Sequence, residues 1–493
     1  MWPLRLLIYR KGDPAEETLK GISGVSRLFL YCFVCQFGKG TASCSFEKYA
    51  KLFRLPIKRI GQAVQELESA GVIGISKEQG VDHRPRSLIQ VDSDSVDRLK
   101  ESFENCSVDV DEGLIRGVAF GKLIPEDVVP LKPLNRLFLC VLLVHSSKAG
   151  RVDDLGQASL TELTGFSVHQ RRSQISRLAD LGFIRALVPG VTGRYLFGSA
   201  KTQYFLNMGH PGFGEYARYE TLLVGRGFPG DEGYLGGQAE AILKGAKSAN
   251  RLISRIIHRE GEKLTDREYK YLLQVIRFEE KWGVKTNAPD RESTSWEAEL
   301  SGRLSGFFQD VRVEDYAPYL QVKINEYASQ LIFVPQGQLQ VIESVLRQGI
   351  AFDLLCDKQS AGQKGFVSAI LKAASVQASR AELLLDGVMR KIKFEERVEA
   401  LSDVEHVILP TLESDPQSGL IVTVCVSSKT ENSITKHPYW DLGVTVVRGG
   451  EVCVAEASHY SDISFLEERM QVVCGVKAKA KKYPKRSEKT IEN

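Results

Sequence analysis

Apolar positions near the start of the chain switch between two periods. Ile57, Ile60, Val64 and Leu67 follow the i, i+3, i+4 spacing of a helix with one buried face, predicting a helix from Ile57 to Ala70. Gly24–Phe37 is almost continuously apolar and predicts a more deeply buried helix. Ser45–Arg54 predicts a second, with Ser45 as its N-cap. Leu55-Pro56 makes the turn into the third, since proline suits a first helical position, and Gly71 stops it. Val72–Ser76 and Ser87–Val91 then read as two strands around a basic loop of His83, Arg84 and Arg86.

The pattern occurs twice. Arg27-Leu28-Phe29-Leu30 returns further along as Arg136-Leu137-Phe138-Leu139. Leu52, Leu55, Ile57, Val64, Leu67, Gly71 and Ile73 return, at one constant offset, as Leu163, Phe166, Val168, Ile175, Leu178, Gly182 and Ile184. In the second copy Ser159–Thr164 is the second helix, Gly165–Ser167 the turn and Val168–Leu181 the third helix. Phe183–Val188 and Tyr195–Leu206 are its strands, with Arg194 and Lys201 near the tip.

Helix, helix, turn, longer helix and ribbon, in that order, resemble the winged helix-turn-helix, over roughly residues 20–95 and 130–207. The resemblance implies duplex DNA as a partner, with the third helix in the major groove and the wing arginines near phosphate or the minor groove. The outward residues are Lys58, Arg59, Gln62 and Gln65 in the first copy, and His169, Gln170, Arg172, Ser173 and Arg177 in the second. Arg171 adds to the second cluster, whereas Glu66 and Glu68 temper the first. Arginine and glutamine are the types that make paired hydrogen bonds to guanine and adenine.

Further along, residues 209–237 hold nine glycines and are expected to be a linker. From Gln238 to Leu401 helical stripes dominate, such as Ala239, Ile242, Leu243 and Ala246, followed by helices at Gln338–Gln348, Gly365–Ala378 and Arg380–Val398. This part is read as an assembly domain. Gly419–Ser427, Asp441–Arg448 and Glu451–Ala457 read as strands, the last two joined by the hairpin signal Gly449-Gly450. If Arg448 pairs with Glu451, Asp441 faces Ser458 and Glu456 is its diagonal neighbour.

Two carboxylates converging at a hairpin's open end resemble the core of PD-(D/E)xK nucleases. The resemblance implies Asp441 and Glu456 as catalytic residues holding Mg²⁺ or Mn²⁺, with a lysine two positions after the Glu. Here that position is Ser458, a departure that removes the cation expected to assist hydrolysis.

Composition adds boundaries. A chain of 493 residues with 43% hydrophobic and 26% charged residues is long enough for several folded domains. No apolar run reaches the ~18 residues of a membrane span, and Met1–Tyr9 reads as a first strand rather than a signal peptide. The nine cysteines sit mostly in apolar segments, so Cys32-x-x-Cys35 reads as core packing and the setting as reducing and cytoplasmic. Net charge is +3, of which the tail Gly475–Asn493 contributes +5, leaving −2 elsewhere; positive potential must therefore be local. Gly362-Gln363-Lys364-Gly365 lacks the spacing of a phosphate-binding loop.

The fold class expected is multidomain α+β. Two tandem winged-helix domains (1–110 and 111–208) lead through a Gly-rich linker (209–237) to a helical domain (238–401). A small α/β domain (402–475) and a basic tail (476–493) complete the plan. The first functional reading is a sequence-specific, homo-oligomeric binder of double-stranded DNA without a cofactor, either a transcriptional regulator or a mobile-element or plasmid replication initiator. A winged-helix-directed DNA nuclease and a non-catalytic interaction scaffold are the alternatives.

Overall fold

The computed structural model describes residues 2–7, 19, 21–38, 40–79, 85–95, 97, 112–123, 131–147, 149–191, 200–208, 210, 212–213, 221–226, 237–257, 265–281, 313–354, 361–391, 404–409, 420–428, 445–448 and 451–453. These residues are mostly helical with small, largely antiparallel sheets, an α+β arrangement. Among them, no helix is long and apolar enough to cross a membrane.

The first unit runs α1 (Gly24–Phe37), β1 (Thr41–Cys44), α2 (Phe46–Phe53), α3 (Ile57–Ser69), β2 (Ile73–Gln79) and β3 (Pro85–Val91). After a linking helix, α4 (Glu112–Phe120), the second unit repeats the order. It comprises α5 (Pro133–Val144), β4 (Arg151–Val152), α6 (Gln157–Thr164), α7 (Val168–Asp180), β5 (Ile184–Val188) and β6 (Gln203–Leu206). Each unit closes a three-stranded antiparallel sheet in which its last strand lies between the other two: β1-β3-β2 and β4-β6-β5. The leading strand of each sheet escapes the sequence pattern because it is only four residues in one case and two in the other.

Local chemistry explains the helices. Ser45 accepts from Lys48 N–H as N-cap of α2, and Ser167 and Gln170 close a reciprocal capping box at the start of α7. The turn into each third helix needs one left-handed residue. Gly165 supplies it in the second unit at φ +68°, and Arg54 holds the equivalent place in the first at φ +50°. Phe29, Phe33, Phe37, Tyr49 and Phe53 pack ring against ring beneath α1 and α2, and Phe120 of α4 joins edge-on to Phe53 with ring centroids 5.7 Å apart.

The two units do not hang as separate beads. One continuous apolar core runs from Leu4 through α1, α3, α4 and α5 to Phe213. The helices α1 and α5, which carry the repeated Arg-Leu-Phe-Leu, pack on each other. Gly24 opens α1 where the units touch: a Cβ there would lie 2.2 Å from the Thr164 carbonyl oxygen. The start of the chain corrects one expectation. Trp2–Leu6 is a 3₁₀ turn rather than a strand, because Leu4, Leu6 and Leu7 all bury against the same core and a strand would turn alternate side chains away from it.

The helical part comprises α8 (Gly237–Ile257), α9 (Asp266–Lys281), α10 (Val313–Ser329), α11 (Gln336–Asp353) and α12 (Ala361–Lys391). The helices expected at 365–378 and 380–398 are joined in the 31 residues of α12, since nothing between Ala378 and Arg380 breaks a helix. A five-stranded sheet follows, ordered β11-β10-β7-β9-β8, with β7 at Thr221–Arg226, β8 at Val404–Leu409, β9 at Leu420–Ser428, β10 at Thr445–Arg448 and β11 at Glu451–Cys453.

Its middle strand corrects the linker expected at 209–237. β7 pairs antiparallel with β9 and parallel with β10, so the glycines flank a strand, Thr-Leu-Leu-Val-Gly-Arg, that belongs to the C-terminal sheet. The hairpin register agrees with the sequence arithmetic: Arg448 pairs with Glu451 and Val446 with Cys453.

Candidate nucleic-acid interface

The third helix of each unit is held by its apolar face. In α3, Ile60, Ala63, Val64 and Leu67 are buried, which leaves Lys58, Arg59, Gln62 and Gln65 exposed on the opposite side. Arg59 Nη1 donates to Gln62 Oε1 at 3.3 Å, so two of these side chains already work as a pair. Glu66 is not part of the open face. Its carboxylate accepts from the Ser23 hydroxyl at 2.7 Å, from the Ser23 backbone N–H and from the Ser26 hydroxyl. It thus satisfies the start of α1, where a negative charge is favourable.

In α7, His169, Gln170, Arg172 and Ser173 are exposed and Arg177 is half-buried. Two of the residues expected to face a ligand are engaged elsewhere. Arg171 is 4% exposed, and its guanidinium donates to the Gln157 carbonyl at 2.8 Å, to Thr161 Oγ1 at 2.6 Å and to Gln157 Oε1 at 2.9 Å. It ties α7 to α6 and is removed from the outward set. The repeat itself carries the sign of this: the equivalent position in the first copy is Ile60, fully buried in α3. The Gln170 side-chain carbonyl accepts from Ser167 N–H at 2.9 Å as part of the capping box, so paired reading of an adenine would compete with that bond.

The starts of the two third helices come close together. Arg59 and Gln62 of α3 and Gln170 of α7 line the same open cavity of about 180 Å³, floored by Ser23, Thr164 and Phe166. Arg59 and Gln170 are equivalent positions of the repeat, so the first turns of both helices open onto a shared depression.

The segments expected as wings differ in their surroundings. Lys201 is exposed and donates from Nζ to the Asp154 carbonyl at 2.6 Å. Arg86 sits in β3 opposite Glu78 by backbone register, while Arg84 and Arg194 lie outside the described residues. One face of the second unit's sheet is covered by protein. Val188 and Phe205 pack against Tyr319 and Val322 of α10 and Leu409 of β8, and Arg151 forms an ion pair at 3.0 Å with Glu326 of α10. The expected wing of that unit is therefore also a docking face for the helical part.

Other chemistry recedes or lies elsewhere. Cys32 and Cys35 are free thiols, and burial pushes both up, Cys35 to about 11, as suits packing rather than redox work. Cys32 and Cys140 direct their thiols at the Ala119 and Ile115 carbonyls of α4, each at 3.6 Å. Asp441, Glu456 and Ser458 lie outside the described residues, as does the basic tail. No family model matches the chain, and neither a curated protein nor a solved structure does so.

Proposed function

We propose that this chain is a sequence-specific binder of double-stranded DNA, acting through two tandem winged helices as a transcriptional regulator or replication initiator. The observation that carries the reading is the pair α3 and α7. Both are held by one buried face, both leave Lys, Arg, His or Gln side chains exposed, and Arg59, Gln62 and Gln170 of the two helices line one cavity. That side-chain set matches the donor and acceptor pattern of major-groove base edges. Lys58, Arg59, Gln62, His169, Arg172 and Ser173 are its members, with Arg177 at the edge; Gln170 contributes its free amide, and Arg86 and Lys201 stand near the wings.

The test incubates the full chain with sheared genomic DNA, recovers bound fragments and sequences them. A sharp peak at a promoter supports the regulator, and clustered repeats the initiator. Affinity for the recovered site should fall steeply with salt. Absence of any saturable, salt-sensitive binding would overturn the reading. Light scattering of the same protein, free and bound, reads the homo-oligomer that accompanies it.

A second reading draws on the sheet of the second unit. Because Val188 and Phe205 already pack on α10, this unit serves protein contact while the first reads DNA. Retention of full affinity by Arg172→Ala together with loss in Lys58→Ala and Arg59→Ala would favour it.

A further inference from the structure

Each third helix begins with an apolar branched residue that the fold does not bury. Ile57 and Val168 are the first residues of α3 and α7, equivalent positions of the repeat, and each residue is 48% exposed. The next apolar positions on α3, Ile60, Val64 and Leu67, are buried; on α7 Ile175 is half-buried against the core and Leu178 is buried. The exposure therefore belongs to the helix starts, in both copies, and not to poorly packed helices. Neither residue is needed for capping: Pro56 precedes Ile57, and Ser167 with Gln170 caps α7.

The surroundings select an occupant. Exposed Lys58 and Arg59 flank Ile57, and exposed His169 and Arg172 flank Val168. A second apolar protein surface would meet these charges as a desolvation cost. The DNA major groove presents the thymine C5-methyl group among polar base edges and between rows of phosphate, and apolar contact with that methyl discriminates thymine from cytosine. Arg59 and Gln170 share one cavity, so the two helix starts address neighbouring ground.

We infer that Ile57 and Val168 read thymine methyl groups, so that one uninterrupted DNA site carries a thymine opposite each helix start. This rests on the DNA-binding reading above and adds to it a base preference and the two residues that set it.

The test uses the full chain and a duplex of its recovered site in which each thymine in turn is replaced by uracil, which removes the methyl and nothing else. Wild type should lose about fourfold in affinity at one position for each residue, the value of one buried methyl group. Ile57→Ala should be indifferent to uracil at one of these positions and Val168→Ala at the other. Both side chains are half-exposed, and thermal melting checks that the variants fold. Wild type on the uracil duplexes is a test in its own right, which can overturn the inference even where a variant fails to fold. If wild type binds every uracil duplex as tightly as the parent, or if both variants keep its full uracil sensitivity, the inference is overturned. Failure of the parent duplex to bind at all would instead sink the DNA reading beneath it.

Discussion

Arg27 and Arg136 occupy the same place in the repeated Arg-Leu-Phe-Leu, and each reaches across to the other unit. Arg27 Nη2 donates to the Glu162 carbonyl near the end of α6, 3.1 Å away. Arg136 donates to the Phe53 and Arg54 carbonyls at the end of α2, at 2.9 and 2.8 Å, and to Ala119 of α4 at 3.0 Å. Each guanidinium therefore caps the second helix of the opposite copy, where carbonyls lack intrahelical partners. The most conspicuous repeat in the sequence is a signature of the joint between the units, and beside that joint Arg59 of α3 and Gln170 of α7 line one cavity.

Arg136 is 1% exposed, and burial lowers its affinity for the proton. Its fork satisfies three carbonyls that water cannot reach easily. Arg136→Met should destabilise the chain by about 3 kcal/mol, since hydrogen bonds from a charged donor are lost and buried acceptors are left unmet. Arg136→Lys should recover little of this, because a single ammonium cannot reproduce a planar fork. Urea denaturation of the three proteins measures the order.

Gly24→Ala should disturb the same joint without removing any polar group. The added methyl would lie 2.2 Å from the Thr164 carbonyl oxygen and 2.4 Å from Leu137 Cδ2, and neither backbone nor core side chain yields at low cost. A loss of about 3 kcal/mol is expected, at the upper end for overpacking. Gly21→Ala offers a contrast: nothing lies within 4 Å, and its cost is that of the left-handed backbone alone. Thermal unfolding of the two variants should separate clash from backbone strain.

Neighbouring arginines in α7 should fail in different ways. Arg171→Ala removes three hydrogen bonds to α6 and should cost about 2 kcal/mol of stability. Arg172→Ala, on the exposed side, should leave stability unchanged and weaken DNA binding by about 1–3 kcal/mol if it contacts a base edge. Melting and a titration against the recovered site, run on both variants, give the comparison. An Arg172→Ala protein that binds that site at full strength would remove α7 from the interface.

The sequence showed the helices of both units well because each combines a strong apolar period with a terminal signal, such as Ser45, Gly71 or Gly182. The register of the β10–β11 hairpin was legible for a similar reason: a two-residue turn fixes every pair beyond it. Arg171 was misplaced because a cluster of arginines reads as a basic face, although the repeat aligned it with buried Ile60. The cross-unit role of Arg27 and Arg136 was not legible, since guanidinium burial depends on which carbonyls another unit brings within reach. β7 was hidden because its short strand lies among glycines and pairs with segments from the far end of the chain, β9 and β10.

Acid should loosen the end of α7 through His210. The ring is buried and tilted against Phe183 with ring centroids 3.9 Å apart, and burial brings its pKa down to about 4 from the usual 6.5. Gly212 N–H donates to Nδ1 at 2.9 Å, which makes Nδ1 the acceptor and gives Nε2 the proton that it donates to the Leu181 carbonyl, also at 2.9 Å. Leu181 is the C-cap residue of α7, so the neutral ring holds the last turn of a candidate recognition helix. Protonating Nδ1 would set two donors against each other. Between pH 6.5 and 4 the unfolded chain binds this proton and the folded chain does not, so the contribution is complete above about 6.5 and is lost as pH falls towards 4. The loss over that window should be about 3 kcal/mol, from 1.36 kcal/mol per unit. His210→Gln keeps a polar side chain without the titration, and other groups cancel in the comparison. The stability gap between wild type and variant, from urea midpoints at pH 7 and pH 4.5, should therefore narrow on acidification; an unchanged gap would mean that the folded ring takes up its proton as readily as the unfolded one.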